Sequence, residues 1–344
     1  MPTTAEIKKG KGIDDLFRGF DAEKPEEEKP IEVVGADRFK ALTAAYERLL
    51  EVETIPEADE EMEKMTLVLT PNDINAFLQT IFRYEQNIKY SWRTGELISK
   101  LIQNSYNAGY NDFNLSTVNL KKIHDVGIEL KGRKEQPIRI TVIGNTGDHC
   151  GIRSKNLIYH IQGNTGDNYG HRSEDSIFTV QGNTSNTCGW GAKNSTFNIQ
   201  GNTGNSCGAS SENLTVHIQG SAGTVCGYQS IDSTYNIQGS TADRCGFRSV
   251  NSAFCIKGDT GSDCGSVSRK SIFKIQGKIG DKCGNDAEHS IFKTSNKETL
   301  EKMLEYVPER IVIFPGVRTY KSGNRVVFIH PDGREEVMRD YDDS

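Results

Sequence analysis

Hydrophobic and polar positions recur every nineteen residues across the middle of the chain, from residue 138 to residue 295. A column of mostly aromatic residues comprises Tyr159, Phe178, Phe197, Val216, Tyr235, Phe254, Phe273 and Phe292. A second column, two residues later, comprises Ile161, Val180, Ile199, Ile218, Ile237, Ile256, Ile275 and Thr294. One mostly polar residue separates the two columns, and this alternation is typical of a half-buried β-strand. Each repeat therefore contains one short strand with its hydrophobic side chains on one face.

A third column precedes the strand in each repeat and consists almost entirely of cysteine. It comprises Cys150, Tyr169, Cys188, Cys207, Cys226, Cys245, Cys264 and Cys283. Glycine follows each of these residues, and the eight repeats contain no insertion or deletion. A unit of nineteen residues cannot bury its own hydrophobic face, so the units must stack. The pattern predicts a parallel β-helix of about eight coils, roughly 38 Å long at one strand spacing per coil.

The flanking segments have other patterns and divide the chain into four predicted regions. Residues 1–30 are charged and contain proline, which is typical of a disordered tail. Residues 31–137 are expected to form a helical domain that also caps the solenoid. Residues 138–295 are the β-helix. Residues 296–344 are expected to close its other end with a helix and a β-hairpin that turns at Pro331-Asp332-Gly333.

Apolar residues at helical spacing predict the elements of the N-terminal region. Thr70-Pro71 is expected to begin a helix, because a threonine cap followed by proline is a typical helix start. Its buried face is expected to comprise Ile74, Phe77, Leu78, Ile81, Phe82 and Ile88. Thr94 is expected to begin the next helix and Gly109 to end it, and Ser116 to cap a short helix through Ile123. Residues 128–142 are expected to be strands that lead into the first coil.

Composition and charge exclude several classes of protein. The formal net charge is −6, whereas binding to nucleic acid requires a basic face. No apolar run approaches the ~20 residues of a membrane helix. The first residues contain no apolar stretch of the kind found in secretory signals. We therefore expect a cytoplasmic protein that binds neither nucleic acid nor membrane.

The cysteine column has three possible uses, which are core packing, metal binding and disulfide formation. In stacked coils the Cα–Cβ bonds run parallel, which keeps neighbouring Cβ atoms beyond the roughly 3.5–4.5 Å of a disulfide. Tyr169 stands in the same column, which argues against a thiol chemistry shared by all coils. We expect a buried ladder of reduced cysteines, with no metal and no cofactor. Cys255 lies between two inward columns and is expected to point outward.

Three polar columns are candidate binding sites. His160 and His217 share the outward column of Cys255, but three coils separate them by roughly 14 Å. They therefore cannot share a zinc ion. The column that begins with Asp148 and Asp167 is too mixed in composition to resemble calcium-binding repeats. The glutamine column predicts a stacked amide ladder, and it comprises Gln162, Gln181, Gln200, Gln219, Gln238 and Gln276.

Six of the eight repeats keep the spacing Gly-x-x-Gly-x-x-x-Gly, as in Gly144, Gly147 and Gly151. With the strand that follows, this spacing resembles the GXGXG right-handed β-helix at the C-terminal end of the large chain of glutamate synthase. The same domain type occurs in one of the chains of formylmethanofuran dehydrogenase. The resemblance covers about residues 138–295, and it implies a right-handed β-helix that packs the parts of an enzyme together without supplying catalytic residues. The Gly-Gly pair of that family is replaced here by pairs such as Asn194-Ser195.

Aromatic and charged residues are densest between residues 90 and 113. Trp92, Arg93, Tyr106 and Tyr110 mark a possible interaction surface there. It is either a pocket between the helical region and the solenoid or a helix pair that docks on the first coil. No catalytic triad, phosphate-binding loop or HExxH motif occurs, so we assign no catalytic residue.

Three functions are compatible with this pattern. The first is a non-catalytic scaffold that binds a protein partner or associates with itself. The second, implied by the resemblance, is an accessory subunit of a metabolic enzyme complex. The third is a carbohydrate-active enzyme, which the uniform coils and the lack of an Asp/Glu cluster in adjacent coils disfavour.

The register of the repeat predicts the order in which the thiols react. In the native protein Cys255 should react with a maleimide first, because buried thiols are inert. Five cysteines of the nineteen-residue column should stay protected until denaturation, and they are Cys188, Cys207, Cys226, Cys245 and Cys264. Mass spectrometry after brief labelling measures this order. Fast labelling of the nineteen-residue column would contradict an inward orientation, and disulfides formed there without oxidant would exclude the reduced ladder.

Overall fold

The computed structural model describes residues 36–307, 311–314, 317–321 and 324–339, and the predicted tail at residues 1–30 lies outside this part of the chain. The chain divides into two compact units, Met1–Leu42 and Thr43–Ser344. The second unit contains the whole solenoid. The fold is a parallel β-solenoid with nineteen-residue coils, preceded by helices and followed by a helix and a hairpin, as the sequence predicts.

Within the described residues, four α-helices precede the solenoid, and they are α1 (Ala36–Glu51), α2 (Ile55–Glu63), α3 (Pro71–Thr80) and α4 (Tyr90–Asn107). Helix α3 begins as predicted, with Thr70 as its N-cap and Pro71 in its first turn. The side chains of Thr70 and Asp73 each accept a hydrogen bond from the other's backbone N–H, which satisfies two of the free amides of the first turn.

Three predictions for this region are wrong. Helix α3 ends at Thr80 and continues as a 3₁₀ turn, whose tighter winding rotates the following side chains off the buried face. Phe82 is therefore 55% exposed and Ile88 is 88% exposed. Helix α4 begins at Tyr90, and Thr94 lies inside it, where its hydroxyl forms a 2.6 Å hydrogen bond with the buried Tyr46 hydroxyl.

The first ten strands of the twelve-stranded main sheet belong to the coils of the solenoid. They are β1 (Asp112–Ser116), β2 (Ile138–Ile143), β3 (Leu157–Gln162), β4 (Ile177–Val180), β5 (Thr196–Ile199), β6 (Thr215–Ile218), β7 (Thr234–Ile237), β8 (Ala253–Ile256), β9 (Ile272–Ile275) and β10 (Ile291–Thr294). All neighbours are parallel, and from β2 onward each residue pairs with the residue nineteen positions later. Two further ladders of parallel bridges, such as Thr165–Thr184 and Lys155–Glu174, give each coil three sides.

Aromatic side chains stack along the interior. Ring centroids are 4.6 Å apart between Tyr235 and Phe254 and 4.9 Å apart between Phe254 and Phe273, with nearly parallel planes. The glycine that follows the cysteine column turns the chain beside these rings. Gly170 has a φ of 62°, and a Cβ there would lie 2.6 Å from Cζ of Phe197. Only glycine satisfies both the left-handed backbone and the close approach of the ring.

The sequence pattern did not reveal the first coil of the solenoid, because this coil contains an insertion. Ser116 does not cap a helix, since it ends strand β1, which pairs with β2. The amide of Gly151 donates to the carbonyl of Val126, just as the amide of Gly170 donates to the carbonyl of Cys150. Val126-Gly127 therefore takes the place of Cys-Gly in an additional first coil. Where strands were predicted at residues 128–142, the structure forms strand β2.

Both ends of the hydrophobic core are covered. Helix α4 lies at the first coil, and helix α5 (Lys297–Tyr306) lies at the last, where its Met303 is fully buried and the hydroxyl of Thr299 donates to the carbonyl of Gly277 at 2.8 Å. Pro308, two residues after this helix, lies outside the described residues.

Four C-terminal strands follow, and they are β11 (Ile311–Phe314), β12 (Val317–Lys321), β13 (Arg325–Ile329) and β14 (Glu335–Arg339). The first two form a separate antiparallel pair. Strand β13 adds to the main sheet in parallel with β10, and β14 pairs with β13 in antiparallel fashion across the predicted Pro331-Asp332-Gly333 turn.

The alternation of buried and exposed positions can be tested in one coil. Phe197 stacks on Phe178 in the core, whereas Asn198 faces outward. Phe197→Asp should destabilise the protein by well over the ~1 kcal/mol of a typical substitution, because it buries a charge and opens a cavity. Asn198→Asp, which introduces the same carboxylate one position away, should change the free energy of unfolding by less than about 0.5 kcal/mol. Equal losses in urea denaturation would contradict the assigned orientation.

Candidate functional site

The four residues predicted to form an interaction surface do not converge on one pocket. Trp92 lies in the first turn of α4, and Tyr110 follows its last turn, so about 22 Å of helix lies between them. Trp92 and Tyr110 are partly exposed, at 38% and 40%. Arg93 is buried, and its Nη1 donates to Oε2 of Glu96 at 2.8 Å.

Tyr106 has a structural position between α4 and the start of the solenoid. Its ring is 3% exposed, and its hydroxyl donates to the carbonyl of Gln136 at 2.7 Å. The same hydroxyl accepts a hydrogen bond from the backbone N–H of Arg133 at 2.8 Å. Tyr106 therefore anchors the helix to the segment that leads into β2, and it is not available to a ligand.

Close packing holds α4 against the first coil. A Cβ at Gly95 would overlap the carbonyl oxygen of His124, so the helix and the coil touch backbone to backbone. The amide of His124 donates to the carbonyl of Ser91, and the hydroxyl of Ser99 accepts from the amide of Gly127 at 2.8 Å. This contact fixes the position of Trp92 above the coil.

Two crossed histidine–aspartate pairs lie beneath Trp92. Nδ1 of His124 accepts the backbone amide of Asp148 at 2.8 Å and lies 3.3 Å from Oδ2 of the same residue. Nδ1 of His149 is 3.4 Å from Oδ1 of Asp125. The Trp92 ring stacks on His124 with centroids 4.0 Å apart and lies 5.3 Å from His149 at a tilt of 39°. We call these five residues the junction cluster. It places four titratable side chains together where helix α4 meets the solenoid.

The junction cluster was not predicted from the sequence, although a signal was present. His124-Asp125 and Asp148-His149 are the same pair of residues in opposite order, and they occupy equivalent places in two consecutive coils. Because the first of these coils contains an insertion, the nineteen-residue step does not align them.

Burial perturbs the titration of this region. Burial, with smaller contributions from the negative charges of Glu96 and Asp148, raises the pKa of Asp125 to about 7. Burial lowers the pKa of His124. One coil further on, burial and the positive charge of Arg172 lower the pKa of His171 to about 4. His171 stacks on Trp190, and its Nδ1 is buried without a hydrogen-bond partner.

The cysteine column lies inside the solenoid. All seven of its cysteines are buried with free thiols, and Cys255 is the partly exposed one. Burial raises the pKa of Cys150 to about 12 and holds that of Cys188 well above its ordinary value. Cys150 and Cys188 are therefore neutral thiols at pH 7, which suits a packing role.

The aspartate and asparagine columns have a structural use as well. Oδ1 of Asn145 accepts the backbone N–H of Asn164 at 2.7 Å, and Oδ1 of Asn164 accepts that of Asn183 at 2.8 Å. Oδ1 of Asp148 and of Asp167 accept the amides of the next coil in the same way. The amide ladder expected of the glutamines is thus formed by the asparagines, while the glutamine side chains are exposed.

Other possible sites are limited in the part of the chain that the structure describes. It contains no group of three or more His, Cys, Asp or Glu side chains that could hold a metal ion, and none of its helices is long and apolar enough to cross a membrane. A groove of 630 Å³ runs along one corner of the first coils, lined by Lys134, Lys155, Ile158, Asp175 and Ile177 among others.

Comparison with known proteins gives no assignment, since no protein family, curated protein or solved structure matches this chain.

The junction cluster predicts a specific dependence of stability on pH. A carboxyl group with a raised pKa holds its proton more tightly in the folded chain, so stability falls as pH rises from about 4 through 7. Asp125→Asn removes this loss. Relative to the wild type, the variant should gain more stability at pH 8 than at pH 5. The two gains in the free energy of unfolding, measured by urea denaturation, should differ by about 1–3 kcal/mol.

The comparison of the two pH values serves as the control, because effects of shape and backbone conformation are the same at both. His124 and His171 act in the opposite direction, since their lowered pKa values reduce stability below pH 6.5. That loss should remain in the variant. A gain that does not depend on pH would show that Asp125 is not the titrating group.

Proposed function

We propose that this protein is a non-catalytic scaffold that presents the sides of a β-solenoid to a protein partner. The observation that carries the proposal is the constant length of the coils, because each pairs with the next at the same offset from β2 to β10. No coil in that stretch extends a loop over its neighbours. The sides therefore consist of straight columns of side chains, which form an extended surface.

The distribution of carboxylates supports the same proposal. A glycosidase needs two carboxyl groups that flank one bond, at separations of roughly 5–9.5 Å. The outward positions of strands β3 to β8 contain no aspartate or glutamate. On another side of the coils, carboxylates alternate with lysines and are paired, as in Lys193–Glu212 at 3.0 Å.

The covered ends favour partners that bind along the sides. An open solenoid end would expose unpaired backbone and apolar side chains and would lead to stacking of copies end to end. Here Asn75 accepts the amide of Ser116 at the first strand, and Asn324 accepts the amide of Ser290 at the last regular coil. Each contact satisfies a backbone amide at one end of the repeat.

An accessory subunit of a metabolic enzyme is the more specific form of this proposal. It rests on the glycine spacing that resembles the GXGXG β-helix, whose role in its own enzymes is structural. In such a complex the partner would be an enzyme chain in fixed stoichiometry.

Affinity purification of the full chain from its native cells tests the proposal. We expect one partner, or a second copy of this chain, to co-elute in constant ratio through a further size-exclusion step. Phe197→Asp serves as the control bait, because loss of the fold should release a partner that recognises the assembled columns. A chain that elutes alone as a monomer at all concentrations would contradict the proposal, and so would a partner held equally by the unfolded control.

A further inference from the structure

One corner of the solenoid holds the aromatic residues of the coils that lie outside the core. Residues 138–295 contain eleven phenylalanine, tyrosine and tryptophan residues, and eight of them are buried in the core. The other three are Trp190, Tyr228 and Phe247, which are partly exposed and follow the cysteine column by two positions. We define the arginine–aromatic corner as positions 168, 171 and 172 and their equivalents at nineteen-residue steps, up to 244, 247 and 248. These positions lie in the turn that joins two of the three sides of each coil.

Positive charge is concentrated at the same corner. Residues 158–255 contain four lysine and arginine residues, and three of them, Arg172, Arg244 and Arg248, lie in the corner. The same stretch contains six aspartate and glutamate residues, and none of them lies in the corner. Among the described residues none of the three arginines forms an ion pair, whereas the fourth cation, Lys193, pairs with Glu212 at 3.0 Å. The corner is therefore a positive site on a chain with a net charge of −6.

The aromatic rings hold the guanidinium groups in place. Cζ of Arg172 lies 5.3 Å from the ring centroid of Trp190. Cζ of Arg248 and Cζ of Arg244 lie 5.5 Å and 5.9 Å from the ring centroid of Phe247. A guanidinium group that stacks on a ring keeps N–H groups at its edge for an acceptor. Because the rings already restrict these long side chains, less conformational freedom is lost when an acceptor binds.

We infer that the arginine–aromatic corner binds an acidic segment of the protein partner. Charge complementarity is the reason, because a guanidinium group without a carboxylate of its own chain offers paired donors that match the two oxygens of a carboxylate. Tryptophan, tyrosine and arginine are also the residue types that contribute most to binding at protein interfaces. This inference rests on the proposed scaffold function and names the chemistry of its partner.

The orientation of the rings favours carboxylates over the bases of a single-stranded nucleic acid. Trp190 stacks on His171 of the preceding coil with centroids 4.9 Å apart, and Phe247 stacks on Tyr228 with centroids 6.0 Å apart. Because these stacks run from coil to coil, the rings present their edges to the outside. Bases bind to exposed ring faces, whereas the edge of an aromatic ring is its positive part and attracts an anion.

The spacing of the arginines sets the length of the segment. Arg172 and Arg248 are four coils apart, or roughly 19 Å at the strand spacing. An extended chain covers this distance in about six residues. Gly191 and Ser210 occupy the equivalent positions of the two coils after Arg172, and their small size lets the backbone of a segment approach. The segment should therefore carry acidic residues about six positions apart, with uncharged residues between them.

A synthetic peptide tests this site on the full chain. The probe has about nine residues, with two glutamates at each end and glycine and serine between them, which matches the distance between the arginines. One control peptide has glutamine in place of glutamate, and a second has the same composition with the four glutamates adjacent. Fluorescence anisotropy of the labelled peptides at low ionic strength measures binding. The probe should bind at least about tenfold more tightly than either control, because only the probe reaches both arginines with its carboxylates.

A matched pair of variants assigns the binding to the corner. Arg172→Gln with Arg248→Gln should weaken binding of the probe at least about tenfold. Lys257→Gln with Lys270→Gln removes the same charge at exposed positions outside the corner and should change binding by less than about twofold. Equal losses in the two variants would overturn the inference, since they would show attraction by overall charge. Failure of the wild type to bind the probe would overturn it, as would tighter binding of an oligothymidine through the same arginines.

The same variants used as baits in native cells separate this inference from the scaffold function. A partner retained by the wild type and lost from the variant with Arg172→Gln and Arg248→Gln supports the corner as the contact. A partner retained equally by both would overturn the corner and leave the scaffold function standing. A wild type that binds the probe through the two arginines but elutes alone would support the acidic-segment site and contradict the scaffold function.

Discussion

The backbone hydrogen-bond ladder along the solenoid axis is the constraint on which the rest of the structure depends. A coil of nineteen residues has too little apolar surface to close a core, so its strand is stable only between two others. The ladder places each residue directly over its equivalent in the next coil. Once this register is set, each side chain must fit the side chains directly above and below it in the same column. Phenylalanines stack, thiols pack, and asparagines bond to the next backbone amide.

Polar side chains extend this ladder where the backbone turns. Serine provides a second example besides asparagine, since the hydroxyl of Ser195 accepts the amide of Ser176 and that of Ser252 accepts the amide of Ser233. Each bond satisfies a buried amide at a corner, where the strand pairing has stopped. The corners also contain residues in the left-handed region, including Thr187 and Val225, with φ values of 58° and 53°. Such β-branched residues rarely adopt this conformation, and the ladder on either side holds them in it.

The most unusual chemistry lies where the repetition stops. The junction cluster forms between helix α4 and the first coils, and its two histidine–aspartate pairs belong to different segments of the chain. Its burial keeps Asp125 protonated below about pH 7 and disfavours charge on His124. The cluster is therefore a pH-sensitive part of the contact that holds the helices to the solenoid, whereas the middle coils depend on uncharged packing. The scaffold that we propose uses the regular part, and the irregular ends cover its hydrophobic core.

The sequence by itself determined the solenoid, the length of its coils and the side on which most strand residues lie. This was possible because the residues of one column all have similar surroundings. The nineteen-residue spacing therefore shows which residues lie next to each other in adjacent coils. It did not determine the extra coil with Val126-Gly127, the exposed positions of Phe82 and Ile88, or the crossing of His124 and His149 with their aspartates. Those features depend on an insertion that breaks the period and on how one helix packs on one coil. Only the tertiary structure decides such contacts, because they join residues whose separation along the chain follows no rule.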